Sequence, residues 1–443
     1  MRSQLPKVLH PVVFRPMLHY VVERALELPH GLIGVVVGHG ADEVRAACTE
    51  YPMLQFIHQA EQLGTGHAIL QAQSLLGGRR GQVLVLSGDV ILLKAETLRQ
   101  LVETKGESTA AVVVTTRLSE PKGYGRIIRG AGNHVVAIRE ELDCNDAERK
   151  INEINSGVYL FDTEKLYAAL DRVTSANAQK EYYLTDVVRE MHKAGDRVEA
   201  LEVKDSSEVL GINDQLGLHA VEKVIQRRIN DAWMAAGVSF EDPESTWIDD
   251  RTQFSSEVRV EGNCRFIDAK IASRVNIESG CRIVRSSVGH GSSIKQGSYL
   301  TDSSVGSETS VGPYAHLRPK SHLGSHVKIG NFVEIKNATF ADHAKASHLS
   351  YIGDATIGPN ANLGCGFITC NYDGGLQKHH TTIGENVFVG SDSQMVAPVE
   401  VGAGSYVASG STVTEDVPPD SLVISRGRQV TKPGYASKYR RGK

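Results

Sequence analysis

Between about Val258 and Val413 an aliphatic residue returns at almost every sixth position, usually followed by glycine or a small polar residue. One run is Ile271, Ile277 and Ile283; the next is Val288, Ile294 and Leu300. The series continues through Val305, Val311, Leu317, Leu323, Ile329 and Ile335, and closes with Ile383, Val389, Met395, Val401, Val407 and Val413. A period of six fits neither the roughly 3.6 of a helix nor the period of about 2 of a half-buried strand. It suits a solenoid whose coils each carry three short strands, with one aliphatic residue per strand pointing inward. Small neighbouring residues allow the tight bends between strands. Steps of five, at Ile283 to Val288 and Leu300 to Val305, read as shortened corners.

Ahead of the repeat, helix-like and strand-like segments alternate. Pro16 to Leu28 has helical spacing, Leu32 to Val37 reads as a buried strand, and Asp42 to Tyr51 is helical again. Leu54 to Ile57 is extended, Thr65 to Leu76 helical, and Gln82 to Leu86 a strand that ends in Ser87-Gly88-Asp89. This alternation predicts an α/β domain with a mostly parallel sheet covered by helices on both faces. Asn213 to Ala236 reads as one long helix stopped by Gly237, a connecting arm between domains or the last helix of the first. The expected division is therefore 1–212, a linker helix at 213–237, and a repeat domain at 238–443.

A chain of 443 residues exceeds one ordinary core and fits two or three domains. A hydrophobic share of 41% and a charged share of 23% are ordinary for a globular enzyme. The formal net charge of −4 supplies no basic field for nucleic acid. The basic tail from Lys432 to Lys443 reads as a frayed, solvated terminus. No apolar run reaches the roughly 18 residues of a membrane helix, and the start does not read as a signal peptide. Cys48, Cys144, Cys264, Cys281, Cys365 and Cys370 are scattered without CxxC spacing, so reduced thiols and a cytoplasmic location are expected.

Candidate chemistry gathers in both halves. In parallel α/β sheets ligands collect beyond the carboxyl ends of strands, where Asp89 is expected. A lone carboxylate there suits Mg²⁺ bridged to substrate phosphates, although alone such an Asp is more often a helix cap. Gln59-Ala60-Glu61-Gln62-Leu63-Gly64-Thr65-Gly66-His67-Ala68 sets glycines and a hydroxyl before a helix, as a base- or phosphate-binding loop would. Lys7 carries a charge able to neutralise phosphate. The sixfold pattern breaks near Lys336 to Tyr351 and at Asn371 to His380, where loops are expected to leave the coil. His348 is a candidate general base there, because imidazole titrates near neutrality. Arg318 and Lys336 offer cations for a sugar phosphate, Tyr351 a hydroxyl and Asn362 an amide.

LPKVLH (Leu5 to His10), QAEQLGTGHA, SGD, GYGRI (Gly123 to Ile127), EINSG (Glu153 to Gly157) and the repeat occur in one order. That order resembles the bacterial bifunctional N-acetylglucosamine-1-phosphate uridylyltransferase and glucosamine-1-phosphate N-acetyltransferase family, over essentially the whole chain. The resemblance implies a Rossmann-like nucleotidyltransferase domain followed by a left-handed parallel β-helix, assembled as a homotrimer with sites shared between neighbours. Small-molecule sugar phosphates and nucleotides would be its partners, with Mg²⁺ as cofactor and acetyl-CoA and UTP as co-substrates. Asp89 and Asn213 would hold the metal, and Lys7 would contact phosphate. Gln59, Gly64 and Thr65 would read the uracil side, while Gly125, Glu140 and Asn155 hold the sugar. In the repeat domain His348 would accept the proton, with Arg318, Lys336, Tyr351 and Asn362 binding glucosamine 1-phosphate. Asn371 and Tyr372 would position the amine and acetyl group, Ser391 would donate to the oxyanion, and Cys365, Ser409 and Arg426 would line the acetyl-CoA groove.

Four departures from the family pattern stand out. The family carries a buried strand and a Gly-rich, Arg-containing loop before the segment matching Met1-Arg2-Ser3. The expectation is either a start assigned at an internal methionine or a first half without activity, which would leave acetyl transfer alone. Leu142 stands where the family tends to carry lysine. Cys365-Gly366-Phe367 replaces Ala-Gly-Thr, and the loop Gly374 to His380 is one residue longer. A nucleophilic role for Cys365 is disfavoured because no base is evident beside it in the sequence. A regulatory or scaffolding subunit is the non-enzymatic alternative; the joint presence of Arg318, Lys336, His348 and Asn371 argues against it.

Overall fold

The computed structural model describes residues 1, 3–76 and 78–439, so Arg2, Gly77 and the end of the basic tail lie outside the described residues. Contacts divide the chain into two units, Met1–Ile225 and Gln226–Lys443.

In the first unit the apolar run Thr109–Arg117 makes a strand buried along nearly its whole length. Its alternate residues enter different apolar clusters. Ala111 and Val113 join the helices Thr163–Leu170 and Thr185–Lys193 through Leu166, Leu170, Val187 and Met191. Val112 and Val114 face Leu98 and Leu101 of the helix Ala95–Thr104. Helices thus cover both faces, as the sequence predicts.

The mostly parallel sheet, by contrast, is not what forms. Gly34–Val37 pairs parallel with Gln55–His58 in a sheet of two strands. A second sheet has six strands among the described residues, and of their pairings only Arg197–Glu202 with Thr109–Arg117 is parallel. The long strand Glu153–Asp162 runs antiparallel to Gln82–Val85, Thr109–Arg117 and Arg126–Arg129. Arg126–Arg129 in turn pairs antiparallel with Val135–Arg139. The physical reason lies beyond Asp89, where strands follow one another without the intervening helix that a parallel crossover needs. A tight turn with left-handed Gly132 and Asn133 joins the last two.

The helix Gln215–Ala235 spans the division between the units. Leu218, Val221 and Ile225 are buried on the first side. Ile229 and Trp233 pack on the apolar core of the second, where Trp233 meets Phe254 edge-on at 5.3 Å. Gly237, at φ 96°, ends the segment.

The second unit is a parallel β-helix of 26 strands in one continuous sheet. Each strand stacks on the equivalent strand of the next coil, as Asn276–Ile277 does on Ser293–Ile294 and that on Ser310–Val311. Ile277, Ile294, Val311, Ile329, Ala346 and Leu363 are buried one above another inside the prism. The expected break at Lys336 to Tyr351 is overturned. Lys328–Phe340 and Lys345–Ile357 are continuous strands of 13 residues that pair with each other. Their inward positions are filled by Ile335, Phe340, Ala346, Ile352 and Ile357. Small Ala346, and corners of changed length, hide the period rather than interrupt it. Asn371–His380 does leave the coil, closed by an antiparallel bridge between Tyr372 and Lys378. All six cysteines are free thiols, and burial pushes those of Cys264 and Cys281 up to about 11 and about 12. Among the described residues no helix is long and apolar enough to cross a membrane.

Candidate functional site

Each unit carries one cluster of the sequence-selected residues. In the first, Asp89 follows the strand Gln82–Val85 and caps no helix. Its Oδ2 lies 2.6 Å from the Lys7 ammonium, which also donates to Asn213 Oδ1 at 2.8 Å. Two oxygens distant in sequence therefore converge on one positive charge. Two hard oxygens around a cation are the donor set a magnesium ion accepts, so the residues present fit that metal.

Beside them, Asn155 and Gly157 lie on the strand paired with Gln82–Val85, and Ser87 Oγ donates to the Gly157 carbonyl at 3.4 Å. Gly125 accepts a backbone bond from Asn155 at 2.9 Å. Asn155 donates to Tyr159 Oη at 2.7 Å. Burial raises the Glu140 carboxyl, aided by the charges of Asp143 and Asp186 and opposed by a 2.9 Å bond from Thr185 Oγ1. Burial and the charge of Glu140 raise the Tyr159 phenol well above its usual range. Leu142 is 62% exposed, whereas Glu141 next to it is tied to Arg126 at 2.8 Å. Gln59, Gly64 and Thr65 form a separate loop: Gln59 Nε2 donates to the Gly64 carbonyl at 3.2 Å, and Thr65 Oγ1 accepts from the Leu184 amide at 3.1 Å.

In the β-helix, His348, Cys365, Ser391 and Ser409 occupy one corner of four successive coils. Backbone bonds lock that stack: Gly366 N to Leu349 O at 3.1 Å, Asp392 N to Cys365 O at 2.7 Å, and Gly410 N to Ser391 O at 2.8 Å. Arg426 donates to the Ser409 carbonyl, which brings the last two predicted groove residues together. His348 is exposed, and its Nδ1 lies 2.9 Å from Asn331 Oδ1 one coil below. The imidazole that the sequence did not supply for Cys365 is thus one coil away, but no bond joins the two side chains among the described residues.

The strand leaving this corner carries Tyr351 and stacks on the strand that carries Lys336. Tyr351 stands in register with Glu334, and Lys336 with Gly353. A Cβ on Gly353 would fall 2.6 Å from Tyr351 Oη and 2.8 Å from Asn371 Nδ2, so the phenol and the amide meet above it. Asn371 is itself held by Asp354, which also accepts from Asn337. Arg318 bonds Glu334 Oε1 at 2.7 Å. Lys336 is held below the usual lysine range by contact with Lys378 and by the charge of Arg318. Asn362 lies on the strand that enters the Cys365 corner, on the other side of the stack from Tyr351. Tyr372 is 60% exposed at the start of the excursion. An imidazole with a fixed Nδ1 partner can accept a proton from a nucleophile, and the cations Arg318, Lys336 and Lys378 on the same run of coils suit a phosphorylated molecule.

Sequence reasoning missed Asn331, Glu334, Asp354 and Lys378. Asn331 had a readable signal: it lies 17 residues, one coil, before His348. Lys378 had none, because its placement depends on how the excursion folds back.

Residues 2–249 match the family model for nucleotidyl transferases, 244–343 that of the GMPPB C-terminal domain, and 380–415 the bacterial transferase hexapeptide (six repeats). The bifunctional protein GlmU of Halalkalibacterium halodurans is 43% identical over 440 residues, 99% of this chain and 96% of its own. That of Geobacter metallireducens is 47% identical over 459 residues, with the same coverage. A solved UDP-glucose pyrophosphorylase complexed with UDP-glucose aligns with 51% of this chain and 91% of its own, at 19% identity and a TM-score of 0.41.

Proposed function

The chain belongs to the family of bifunctional GlmU proteins, and we propose that it makes UDP-N-acetylglucosamine in two steps, one in each half. The β-helix, 238–443, acetylates glucosamine 1-phosphate from acetyl-CoA. The first domain, 1–212, then transfers uridylyl from UTP to N-acetylglucosamine 1-phosphate and releases pyrophosphate. Residues 213–237 link them, and the enzyme works in the cytoplasm.

For acetyl transfer, Arg318 and Lys336 hold the sugar phosphate and Tyr351 and Asn371 fix the amine. His348 Nε2 takes the amine proton as the nitrogen attacks the thioester carbon. Ser391 donates to the oxyanion, and collapse expels the coenzyme A thiolate, which takes up a proton. Cys365, Tyr372, Ser409 and Arg426 line the acetyl-CoA groove, and Asn362 reaches the sugar from the entering strand. The observation that carries this reading is that the strands bearing His348 and Lys336 pair in register, with Tyr351 and Asn371 close together over Gly353 opposite Lys336.

For uridylyl transfer, Asp89 and Asn213 would hold Mg²⁺, which neutralises phosphate charge when bound. Lys7 contacts phosphate, the loop of Gln59, Gly64 and Thr65 reads the uracil, and Gly125, Glu140 and Asn155 hold the sugar for in-line attack. A homotrimer completes the acetyl-transfer sites. Tyr314, Phe332 and Leu349, exposed by 49%, 56% and 58%, form an apolar ladder at the corner beside His348, which a neighbouring copy would cover. Separate assays of the two steps on the purified chain test the division. Acetyl transfer without pyrophosphate release from UTP would leave the first half inactive.

A further inference from the structure

We infer that Asn331 is a positioning residue for acetyl transfer, its amide oxygen holding the Nδ1–H tautomer of His348 so that Nε2 is left as the proton acceptor. The inference rests on His348 being the base, and it adds what makes that ring competent. Asn331 and His348 are register partners on neighbouring coils of the 13-residue strands, and the Nδ1 to Oδ1 distance is 2.9 Å. The bond is built into the backbone ladder on both sides. Below it, a Cβ on Gly330 would fall 1.8 Å from the Ser347 carbonyl, so the coils touch directly under the ring. Two residues along the same strand, Ser350 Oγ donates to the His348 carbonyl at 2.8 Å.

A neutral imidazole carries its proton on one nitrogen, and a fixed acceptor at Nδ1 decides which. Without that acceptor the ring divides between tautomers and also turns, and both reduce the fraction able to take the amine proton. An amide performs this task without adding charge. The charged and titratable groups of the stacked strands, besides His348, are Lys328, Glu334 and Lys336 on the coil below, Lys345, Tyr351 and Asp354 on the same strand, and Cys365 on the coil above. Glu334 is already engaged by Arg318, so a carboxylate acts on the ring only if position 331 becomes one.

Asn331→Ala and Asn331→Asp, made in the full chain, test the assignment. Acetyl transfer is measured across pH, and the pH dependence of His348 carbethoxylation by diethyl pyrocarbonate is mapped by mass spectrometry. Asn331→Ala is expected to lower kcat by about 10- to 100-fold with KM for both substrates within about twofold. Asn331→Asp retains the acceptor and adds charge, so the acid limb of kcat/KM and the carbethoxylation curve both move up by about one pH unit. Melting temperature separates these outcomes from misfolding, and the Asp variant carries the test if the Ala variant unfolds. Wild-type kcat in Asn331→Ala, or an unmoved carbethoxylation curve in Asn331→Asp, overturns the inference. Wild-type acetyl transfer in His348→Ala overturns the base assignment instead, and the carbethoxylation curve then reports the pair by itself.

Discussion

The Lys7 ammonium lies 2.6 Å from Asp89 Oδ2, across 82 residues of sequence, and the same ammonium reaches Asn213. A positive charge already occupies the space between two oxygens suited to a divalent ion, so ion and side chain compete for it. Lys7→Ala is expected to tighten Mn²⁺ binding by the nucleotide-free chain about tenfold, since a unit charge a few ångströms away is worth roughly 1 kcal/mol or more. Titration followed by electron paramagnetic resonance reads this directly; unchanged affinity would show that the ammonium does not obstruct the ion.

His348→Ala should reduce acetyl transfer by about 100-fold or more while leaving pyrophosphate release from UTP intact, as expected for loss of a general base. Measuring both activities on one preparation guards against a folding defect. Equal acetyl-transfer rates in the two proteins would end the assignment.

Arg318→Ala is expected to raise KM for glucosamine 1-phosphate by about tenfold and to leave KM for acetyl-CoA unchanged, because its guanidinium sits beside Lys336 and Lys378 rather than along the corner stack. A rise confined to acetyl-CoA would relocate the phosphate site.

Gly330→Ala should destabilise the β-helix by about 1–3 kcal/mol, the usual range for forcing atoms into filled space. The clashing atom is a backbone carbonyl and cannot swing aside. Denaturant unfolding of the wild type and variant measures the loss, and a change below about 0.5 kcal/mol would mean that the coils separate freely here.

Glu140 supplies a pH signature. Its carboxyl is raised chiefly by burial, so the folded chain binds the proton more tightly than the unfolded chain. Below the unfolded value, near 4.5, both states are neutral at this position and no cost arises. As pH rises through that value the unfolded chain ionises first, and stability falls until the folded carboxyl ionises too. Glu140→Gln should therefore unfold at higher urea concentration than wild type at pH 7, with the gap closing at pH 4. A gap of constant size at both pH values would assign the effect to packing.

How far the sequence could be read varies with the periodicity. Ile277, Ile294 and Val311 announce the β-helix because a bulky residue fills every inward position there. Ala346 conceals it, since an alanine on the inner face breaks the count without breaking the coil. Hence the sequence predicts a departing loop for the stretch holding His348, although it lies in the longest pairing of the unit. Asp89 and Lys7 were each legible as charges near a strand end or in a motif, but their contact was not, because it requires the fold to bring together residues with no shared period. The antiparallel strand Glu153–Asp162 was hidden for a related reason: its direction is set by partners on either side, not by its own residues.

The corner stack of Asn331, His348, Cys365, Ser391 and Ser409 takes one side chain from each turn of the prism, at a vertical pitch of about 4.8 Å fixed by main-chain pairing. The spacing between these groups is therefore a property of peptide geometry rather than of side-chain packing. Lengthening the chain inside a turn would put every later group out of line, whereas an outward excursion such as Asn371–His380 absorbs extra residues and leaves the ruler unaltered.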